Sequence, residues 1–301
     1  MSFIAAPQPE CNGAAGSVEL RIEPREKDLG GFTVRRVLPA ANRRMVGPFI
    51  FFDHLGPAEF APGEGISVRP HPHIGLATIT YLFEGEILHR DSLGSVQPIR
   101  AGAVNLMTAG RGIVHSEHSA GAALDAHSRV HGIQSWMALP ADLEEGEPAF
   151  VHTPAADLPE LDADGVAVRV IIGEAFGKRS PVEVSVPMLY LECRMPRGST
   201  LEIPSLHDEL AAYVVSGEVC IDGQSWPGGV MAVARPGRSL TLKATEDSRV
   251  MVIGGATMGE RHIWWNFVAS SKQRIEQAKA DWKAGRFAKV PGETEFIPLP
   301  D

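Results

Sequence analysis

Apolar and polar positions alternate along most of the chain, in short runs separated by turns rich in Gly, Pro and Asp. Alternation with a period of two, together with β-branched residues, is typical of strands in a sheet. The segments with this pattern are GFTVRRVL, LATITYLFEGEIL, AGAVNLMTA, HGIQSWMAL, GVAVRVIIG, MLYLECRM, AAYVVSGEVCID, GGVMAVA and SRVMVIGG. The pattern therefore predicts an all-β protein.

One segment near the C-terminus has helical spacing instead. In SSKQRIEQAKADWKAGRF, Ile275, Ala278 and Trp282 recur at helical intervals, and Ser270 or Ser271 suits the N-cap. A glycine follows where such a helix should end. A helix with one apolar stripe usually packs against a core, so we expect a C-terminal packing helix.

The chain contains an internal repeat. TYLFEGEI and AYVVSGEV share a Tyr, three residues, Gly-Glu and an apolar residue, and AGAVNLMTAGRG resembles PGGVMAVARPGRS further on. Two matches in the same order predict two tandem β-barrels of the jelly-roll type. We assign residues 1–145 to an N-terminal domain and residues 146–301 to a C-terminal domain with the helix. The seam falls in LEEGEPAFVHTPAADLPELDADG, which has the composition of a connector.

Composition and charge narrow the class of protein. The 301 residues are 44% hydrophobic and 22% charged, which is typical of an ordinary globular protein. The formal net charge is −9, and no basic stripe is available to neutralise phosphates. Direct binding to nucleic acid or to an anionic membrane surface is therefore not expected.

The cysteines and the N-terminus indicate a reducing compartment. Cys11, Cys193 and Cys220 are scattered and odd in number, which argues against a disulfide scaffold. The N-terminus lacks the basic start of a signal peptide, and no later segment approaches the ~20 apolar residues of a membrane helix. We expect a soluble, cytoplasmic monomer in which Cys193 and Cys220 are inert strand residues.

Two short polar motifs stand out from this background. In RPHPHIGLATITYLFEGEI, His71 and His73 are two residues apart, and in TAGRGIVHSEHS the same spacing separates His115 and Glu117. Side chains two apart in a strand project to the same side. If both pairs face the interior of one barrel, three imidazoles and one carboxylate converge there, and this set of donors predicts a metal site.

A structural explanation also exists for each motif alone. A single His-x-His at a strand end is weak evidence, because exposed histidines often have no role. Buried ionisable groups, however, are rare unless they are paired or coordinated, so two such pairs favour a cation. Imidazole and carboxylate donors suit iron, nickel, copper, zinc or manganese, and the absence of thiolates argues against a closed structural zinc site.

The second repeat serves as an internal comparison. The repeat offset puts Ile203 and Ser205 at the first histidine pair and Leu242 and Ala244 at the second pair. His207 lies nearby but would be a single ligand. Because the second copy lacks these polar residues, they are not needed to build a barrel, which favours a functional site in the first domain.

The motifs resemble those of a known family. GISVRPHPH fits the cupin opening of Gly, five residues and His-x-His, with Gly65 at the glycine position. Within the cupins, four segments together are similar to the pirin family, and GERHIWWNFVASSKQRI resembles its bacterial members. These four segments are PFIFFDHLGP, RPHPHIGLATITYLFEGEILHRDSLG, MTAGRGIVHSE and HGIQSWMALP. The resemblance runs from about residue 20 to residue 285.

This resemblance implies a bicupin fold with one divalent metal ion in the N-terminal barrel. The implied ligands are His71, His73, His115 and Glu117. The glutamate that many cupins carry after His-x-His would fall on Ala77 or Thr78, so Glu117 has to supply the oxygen ligand. The family implies Fe(II), and the donors also permit Mn, Ni, Co, Cu or Zn.

The resemblance further implies quercetin 2,3-dioxygenase activity, in which dioxygen opens the heterocycle of a flavonol. Four protein ligands leave two positions free on a six-coordinate iron. Glu117 is the expected catalytic residue and takes the flavonol proton. An apolar mouth would hold the aromatic rings, although aromatic residues more often fill a barrel core. The candidates for this mouth are Phe51, Phe52, Phe83 and Trp136.

Some alternatives remain open. Pirins are also described as metal-dependent, redox-sensing cofactors of transcriptional regulators, so a protein partner is a second hypothesis, and a different small substrate is a third. Arg111 either orients a ligand or caps its glycine-rich turn. Three further histidines, His54, His118 and His131, either support the ligands from behind or lie at the surface, and we expect surface positions.

Overall fold

The structure is a computed structural model and describes residues 16–28 and 32–300. In the first half the strands are β1 Val18–Ile22, β2 Arg25–Asp28, β3 Thr33–Leu38, β4 Phe49–Phe60, β5 Ser67–His73, β6 Leu76–Glu84, β7 Glu86–Asp91, β8 Val96–Arg100, β9 Val104–Thr108, β10 Ile113–His118, β11 Ser128–Ala138 and β12 Ala149–Thr153, with helix α1 at Ala122–Asp125. In the second half they are β13 Glu160–Ala163, β14 Val166–Ile172, β15 Glu174–Ala175, β16 Lys178–Arg179, β17 Met188–Met195, β18 Thr200–Ile203, β19 Glu209–Ser216, β20 Glu218–Ile221, β21 Gln224–Pro227, β22 Met231–Ala234, β23 Leu240–Ala244, β24 Ser248–Gly255, β25 His262–Trp264 and β26 Phe267–Ala269. A short 3-10 turn lies at Ala155–Asp157, and helix α2 spans Lys272–Lys283.

Two barrels are built from equivalent strands. In the first, a seven-stranded sheet in the order β12-β9-β6-β11-β4-β3-β2 packs on a four-stranded sheet in the order β5-β10-β7-β8. In the second, the corresponding orders are β1-β22-β19-β24-β17-β14-β13 and β18-β23-β20-β21. The orders match strand for strand, which confirms the predicted all-β fold with two jelly-roll barrels.

The two barrels exchange edge strands. β1, at the start of the chain, pairs with β22 of the second barrel, and β12 pairs with β9 of the first. The segment with the composition of a connector also contributes two edge strands, β12 and β13, which its sequence did not predict. Both are short, largely exposed edge strands, whose polar composition resembles that of a loop. The boundary between residues 145 and 146 stays a prediction, and both exchanged strands pair across it.

The seven-stranded sheets of the two barrels share one apolar core. In β19, residues 211, 213 and 215 belong to this shared core, whereas residues 210, 212 and 214 face the interior of the second barrel. Phe52 and Tyr213 meet in the shared core, edge to face, with ring centroids 5.1 Å apart. Because both faces of such a strand are buried, its sequence is an almost continuous apolar run.

The C-terminal segment returns to the first barrel. α2 begins after Ser271, while the backbone N–H and side-chain hydroxyl of Ser270 donate to the carboxylate of Glu144. Ile275 and Ala278 pack in one cluster with Ile74 of the first barrel, which confirms a packing helix. None of the helices in the described ranges has the length and apolar character needed to span a bilayer.

Candidate metal centre

Three histidines converge inside the first barrel. His71 and His73 lie on β5, His115 lies on the neighbouring β10, and His115 is directly opposite His71 in the sheet register. One nitrogen from each ring lies within 4.8 Å of the others, and the Nε2 atoms of His73 and His115 are 3.1 Å apart. All three side chains are buried. The structure therefore brings together three of the four predicted ligands.

Backbone carbonyls orient two of these rings. His71 Nδ1 lies 2.9 Å from the carbonyl oxygen of Arg69, and His73 Nδ1 lies 3.0 Å from that of Asn266. A carbonyl accepts only, so Nδ1–H donates in each ring, and Nε2 keeps its lone pair. The lone pairs are thus available inside the barrel, which is the arrangement a metal ion needs.

The environment keeps these imidazoles neutral. Burial lowers the pKa of His71 to about 4, and burial also lowers the pKa values of His73 and His115, with repulsion from neighbouring imidazoles adding to the effect. Neutral imidazole is the form that binds metal ions, so protons do not compete for the three nitrogens near neutral pH.

Glu117, the fourth predicted ligand, lines the same cavity but is not part of the histidine cluster. The register between β10 and β5 shifts by one residue after His115, so that Glu117 lies opposite Val68. Thr80 Oγ1, which donates to Gln134 Oε1 at 2.8 Å, lies 3.5 Å from Glu117 Oε1, and burial raises the pKa of the Glu117 carboxyl. Its role as a ligand stays a prediction.

The cavity beside the histidines has a volume of about 350 Å³. Phe51 and Trp136 line it and stack with ring centroids 3.9 Å apart. The other two aromatic candidates lie elsewhere: Phe52 is in the shared core, and Phe83 packs on His131 under the guanidinium of Arg249. Two of the four proposed mouth residues therefore face the cavity.

The cavity also has a wall that sequence reasoning did not identify. Trp265 and Asn266, from the turn between β25 and β26, and Ile297, beyond α2, complete it. Arg36 and Asp53 also line the cavity and form a bidentate ion pair, with both N–O distances at 2.8 Å. These residues come from distant parts of the chain, and no local pattern marks them.

Several other polar residues differ from expectation. Arg111 forms an ion pair with Glu147 rather than contacting His115 or Glu117, so it does not orient a ligand. His118 is only partly exposed and lies 3.5 Å from Glu293. Cys193 is a buried strand thiol as predicted and Cys220 is partly buried, whereas Cys11 lies outside the described residues.

His54 is fully buried, so the expectation of a surface position was wrong. Its Nδ1 lies 2.7 Å from the hydroxyl of Tyr213 in the second barrel, and its Nε2 lies 2.7 Å from Nε2 of His131, which is partly exposed. Burial, followed by the charges of Arg35 and His131, lowers the pKa of His54 to about 2. The packing of the second barrel causes this burial, which the first barrel's sequence does not reveal.

This histidine predicts a pH dependence of stability. His54 stays neutral in the folded state, whereas in the unfolded chain it gains a proton below about pH 6.5. The free energy of unfolding is therefore unaffected by His54 above about pH 6.5. Below this value it falls as the pH decreases, by up to about 1.4 kcal/mol per pH unit for this group. Between pH 6 and pH 5, a His54→Gln variant should lose about 1 kcal/mol less unfolding free energy than the wild type. Urea denaturation of both proteins at pH 6 and at pH 5 measures this difference. Equal losses of unfolding free energy in the variant and the wild type would contradict the prediction.

Two further polar residues of the first barrel were missed. His89 and Asp91 lie on β7, beside β10, and are buried behind His115. The sequence held a signal, because His-Arg-Asp repeats the two-residue spacing of the other motifs.

The second barrel has an apolar interior at the equivalent places. Leu201 lies opposite Leu242 in the sheet, as His71 lies opposite His115. The register thus makes Leu201, rather than Ile203, the counterpart of His71. Leu201, Leu242 and Ala244 are all buried. The absence of polar residues at these places in the second barrel is therefore confirmed.

Fold and site together define a two-barrel cupin protein with a histidine triad that could bind a metal ion. The Pirin family model matches residues 31–137, and the model of the Pirin C-terminal cupin domain matches residues 190–288. A pirin-like protein of Caulobacter vibrioides is 51% identical over 94% of this chain and 100% of its own length. The chain belongs to the pirin family.

Two other similar proteins bear names that describe an activity. A Pseudomonas aeruginosa protein, named as a provisional quercetin 2,3-dioxygenase, is 41% identical over 90% of this chain and 86% of its own. The crystal structure of a quercetin 2,3-dioxygenase from Acinetobacter baumannii is 34% identical, with a TM-score of 0.87, and covers 94% of this chain and 95% of its own.

Proposed function

We propose that the protein is a metal-dependent dioxygenase of the quercetin 2,3-dioxygenase type, which opens a flavonol ring with dioxygen at a single iron centre. The observation that carries this proposal is the convergence of three buried imidazoles on the wall of a cavity that also has a stacked aromatic pair. A site of this kind combines metal donors with a surface suited to a flat aromatic molecule.

The distances fit a bound ion. Metal–imidazole bonds of about 2.1 Å place two nitrogens about 3.0 Å apart when they bind at a right angle, and the Nε2 atoms of His73 and His115 are 3.1 Å apart. We assign His71, His73 and His115 as ligands through Nε2 and Glu117 as the oxygen ligand. A bound Fe(II) ion would supply Lewis acidity and electron transfer.

The remaining residues bind and orient the substrate. Phe51 and Trp136 provide an apolar face, and Trp265 and Ile297 add apolar side chains to the cavity wall. Burial makes the Glu117 carboxylate a stronger base than an exposed one. We assign Glu117 Oε1 or Oε2 as the acceptor of the flavonol hydroxyl proton. The Pseudomonas and Acinetobacter relatives support this substrate class by their names.

An oxygen-uptake experiment tests the proposal. Protein loaded anaerobically with Fe(II) is mixed with quercetin and oxygenated buffer, and both the flavonol absorption and dissolved oxygen are followed. We expect equal consumption of flavonol and oxygen. Metal-free protein is the negative control, and a His207→Ala variant, which removes a partly exposed imidazole from the second barrel, should match the wild type. Loading with Mn, Ni, Co, Cu or Zn in parallel tests the choice of metal.

Failure of turnover would have a defined meaning. Binding is measured separately by quenching of tryptophan fluorescence, because Trp136 and Trp265 line the cavity. A metal-loaded protein that turns over no flavonol or related enol would contradict the enzymatic proposal. Capture of a protein partner that depends on the redox state would then favour the regulatory hypothesis.

A further inference from the structure

A buried pair of side chains, His89 and Asp91, lies next to the ring of His115. His89 Nε2 lies 3.0 Å from Asp91 Oδ2, and His89 Nδ1 lies 3.4 Å from His115 Nδ1. His89 and Asp91 are 4% and 0% exposed. The ring of His89 is held by Phe150, which stacks on it at 4.4 Å with a 14° angle between the planes.

The contacts of Asp91 fix the direction of these hydrogen bonds. Its Oδ1 accepts the backbone N–H groups of Leu93 and Ser95 at 2.9 and 3.0 Å, which leaves Oδ2 for His89. A carboxylate only accepts, so His89 Nε2 is the donor and His89 Nδ1 is an acceptor. His115 Nδ1–H then donates to His89, and His115 Nε2 is left with its lone pair beside His73.

We propose that His89 and Asp91 are positioning residues that hold His115 in the one tautomer whose Nε2 can bind the metal ion. The inference rests on the metal centre of the proposed function. The other two histidines are anchored by backbone carbonyls, whereas His115 is anchored by side chains. Such partners orient a ligand and raise its basicity.

The second barrel supports this assignment. There Val219 lies opposite Ala244, as His89 lies opposite Glu117 in the first barrel. Ile221, two residues further along β20, occupies the position in the second barrel that is equivalent to Asp91. Both are buried apolar residues. The His-x-Asp pair therefore accompanies the histidine triad and is absent from the barrel without the triad, so it is not needed to build this sheet.

The Asp91→Asn variant tests the direction of the hydrogen bonds. The amide oxygen can keep the contacts with Leu93 and Ser95, while the amide NH₂ replaces Oδ2 and donates to His89 Nε2. His89 must then carry its proton on Nδ1, facing His115 Nδ1, which drives the His115 proton to Nε2. We expect the affinity for Co²⁺, measured by competition with a chromogenic chelator, to fall by about 10- to 100-fold.

His89→Phe is the second variant, because it keeps the stacking on Phe150 and removes the acceptor. The same loss of Co²⁺ affinity is expected, and His152→Phe, a substitution of a partly exposed histidine on β12, should have no effect. In Zn²⁺-loaded protein, the His115 Nδ1–H proton should give a hydrogen-bonded NMR resonance that both variants lose. A merely structural role would leave that resonance unchanged in any variant that folds.

The outcomes separate this inference from the proposed function. Wild-type affinity and an unchanged resonance in both variants would overturn the positioning role and leave the metal centre intact. A wild-type protein that binds no divalent ion would overturn both. Weaker binding in both variants, with no turnover of any flavonol by the loaded wild type, would support the positioning role and contradict the dioxygenase activity.

Discussion

A His115→Ala variant is expected to lose the metal ion. The ring of His115 lies within 5.0 Å of the ring centroids of both His71 and His73, so its removal opens the centre of the cluster. Loss of a partner behind a ligand costs about 10- to 100-fold in metal affinity, and loss of the ligand itself should cost more than about 100-fold. Metal analysis of protein purified without added metal, and Fe(II) titration, measure this effect.

Unfolding gives a second measure of the same variant. An ion present at 100 times its dissociation constant stabilises the folded state by about 2.7 kcal/mol. We expect this gain in the wild type and in the His207→Ala control, and a gain of less than about 0.4 kcal/mol in His115→Ala at the same ion concentration. Oxygen uptake with quercetin should fall to the level of metal-free protein. Equal metal content in His115→Ala and wild type would show that the triad is not the binding site.

The part of the site that could be predicted from sequence depends on residues that lie close together on one strand. His71 and His73 share a strand, and the two-residue spacing by itself puts both imidazoles on one side. The repeat then indicated that β5 and β10 belong to the same barrel, and their pairing brings His115 opposite His71. Strand alternation and the internal comparison were therefore sufficient to identify the triad.

Features that depend on tertiary packing could not be predicted. His54 is buried because the second barrel covers it through Tyr213, and no pattern around His54 indicates that contact. Likewise, Ile297 reaches the cavity from beyond α2, because the C-terminal segment returns to the first barrel. The register between β10 and β5 also shifts after His115, so that Glu117 lies opposite Val68. A two-residue period in the sequence does not predict such a shift.

A Glu117→Gln variant separates the two roles assigned to this residue. Gln keeps the size and an oxygen donor but cannot take up a proton from the substrate. If Glu117 is the base, turnover of quercetin should fall by about 10²- to 10⁴-fold, while three imidazoles still hold the ion and quercetin still quenches tryptophan fluorescence. The kcat and KM of the iron-loaded variant, with its iron content, measure this.

A matched substitution at a glutamate of the C-terminal segment, which contacts the other face of β10, provides the control. Glu293 accepts a hydrogen bond from Ser116, between His115 and Glu117, at 3.0 Å, but it does not line the histidine cavity. Glu293→Gln should therefore leave turnover near the wild-type value. A Glu117→Gln protein that binds iron and keeps full turnover would exclude Glu117 as the base. A variant that loses iron as well as turnover would instead assign Glu117 to the metal, because loss of the ion alone would then explain the loss of activity.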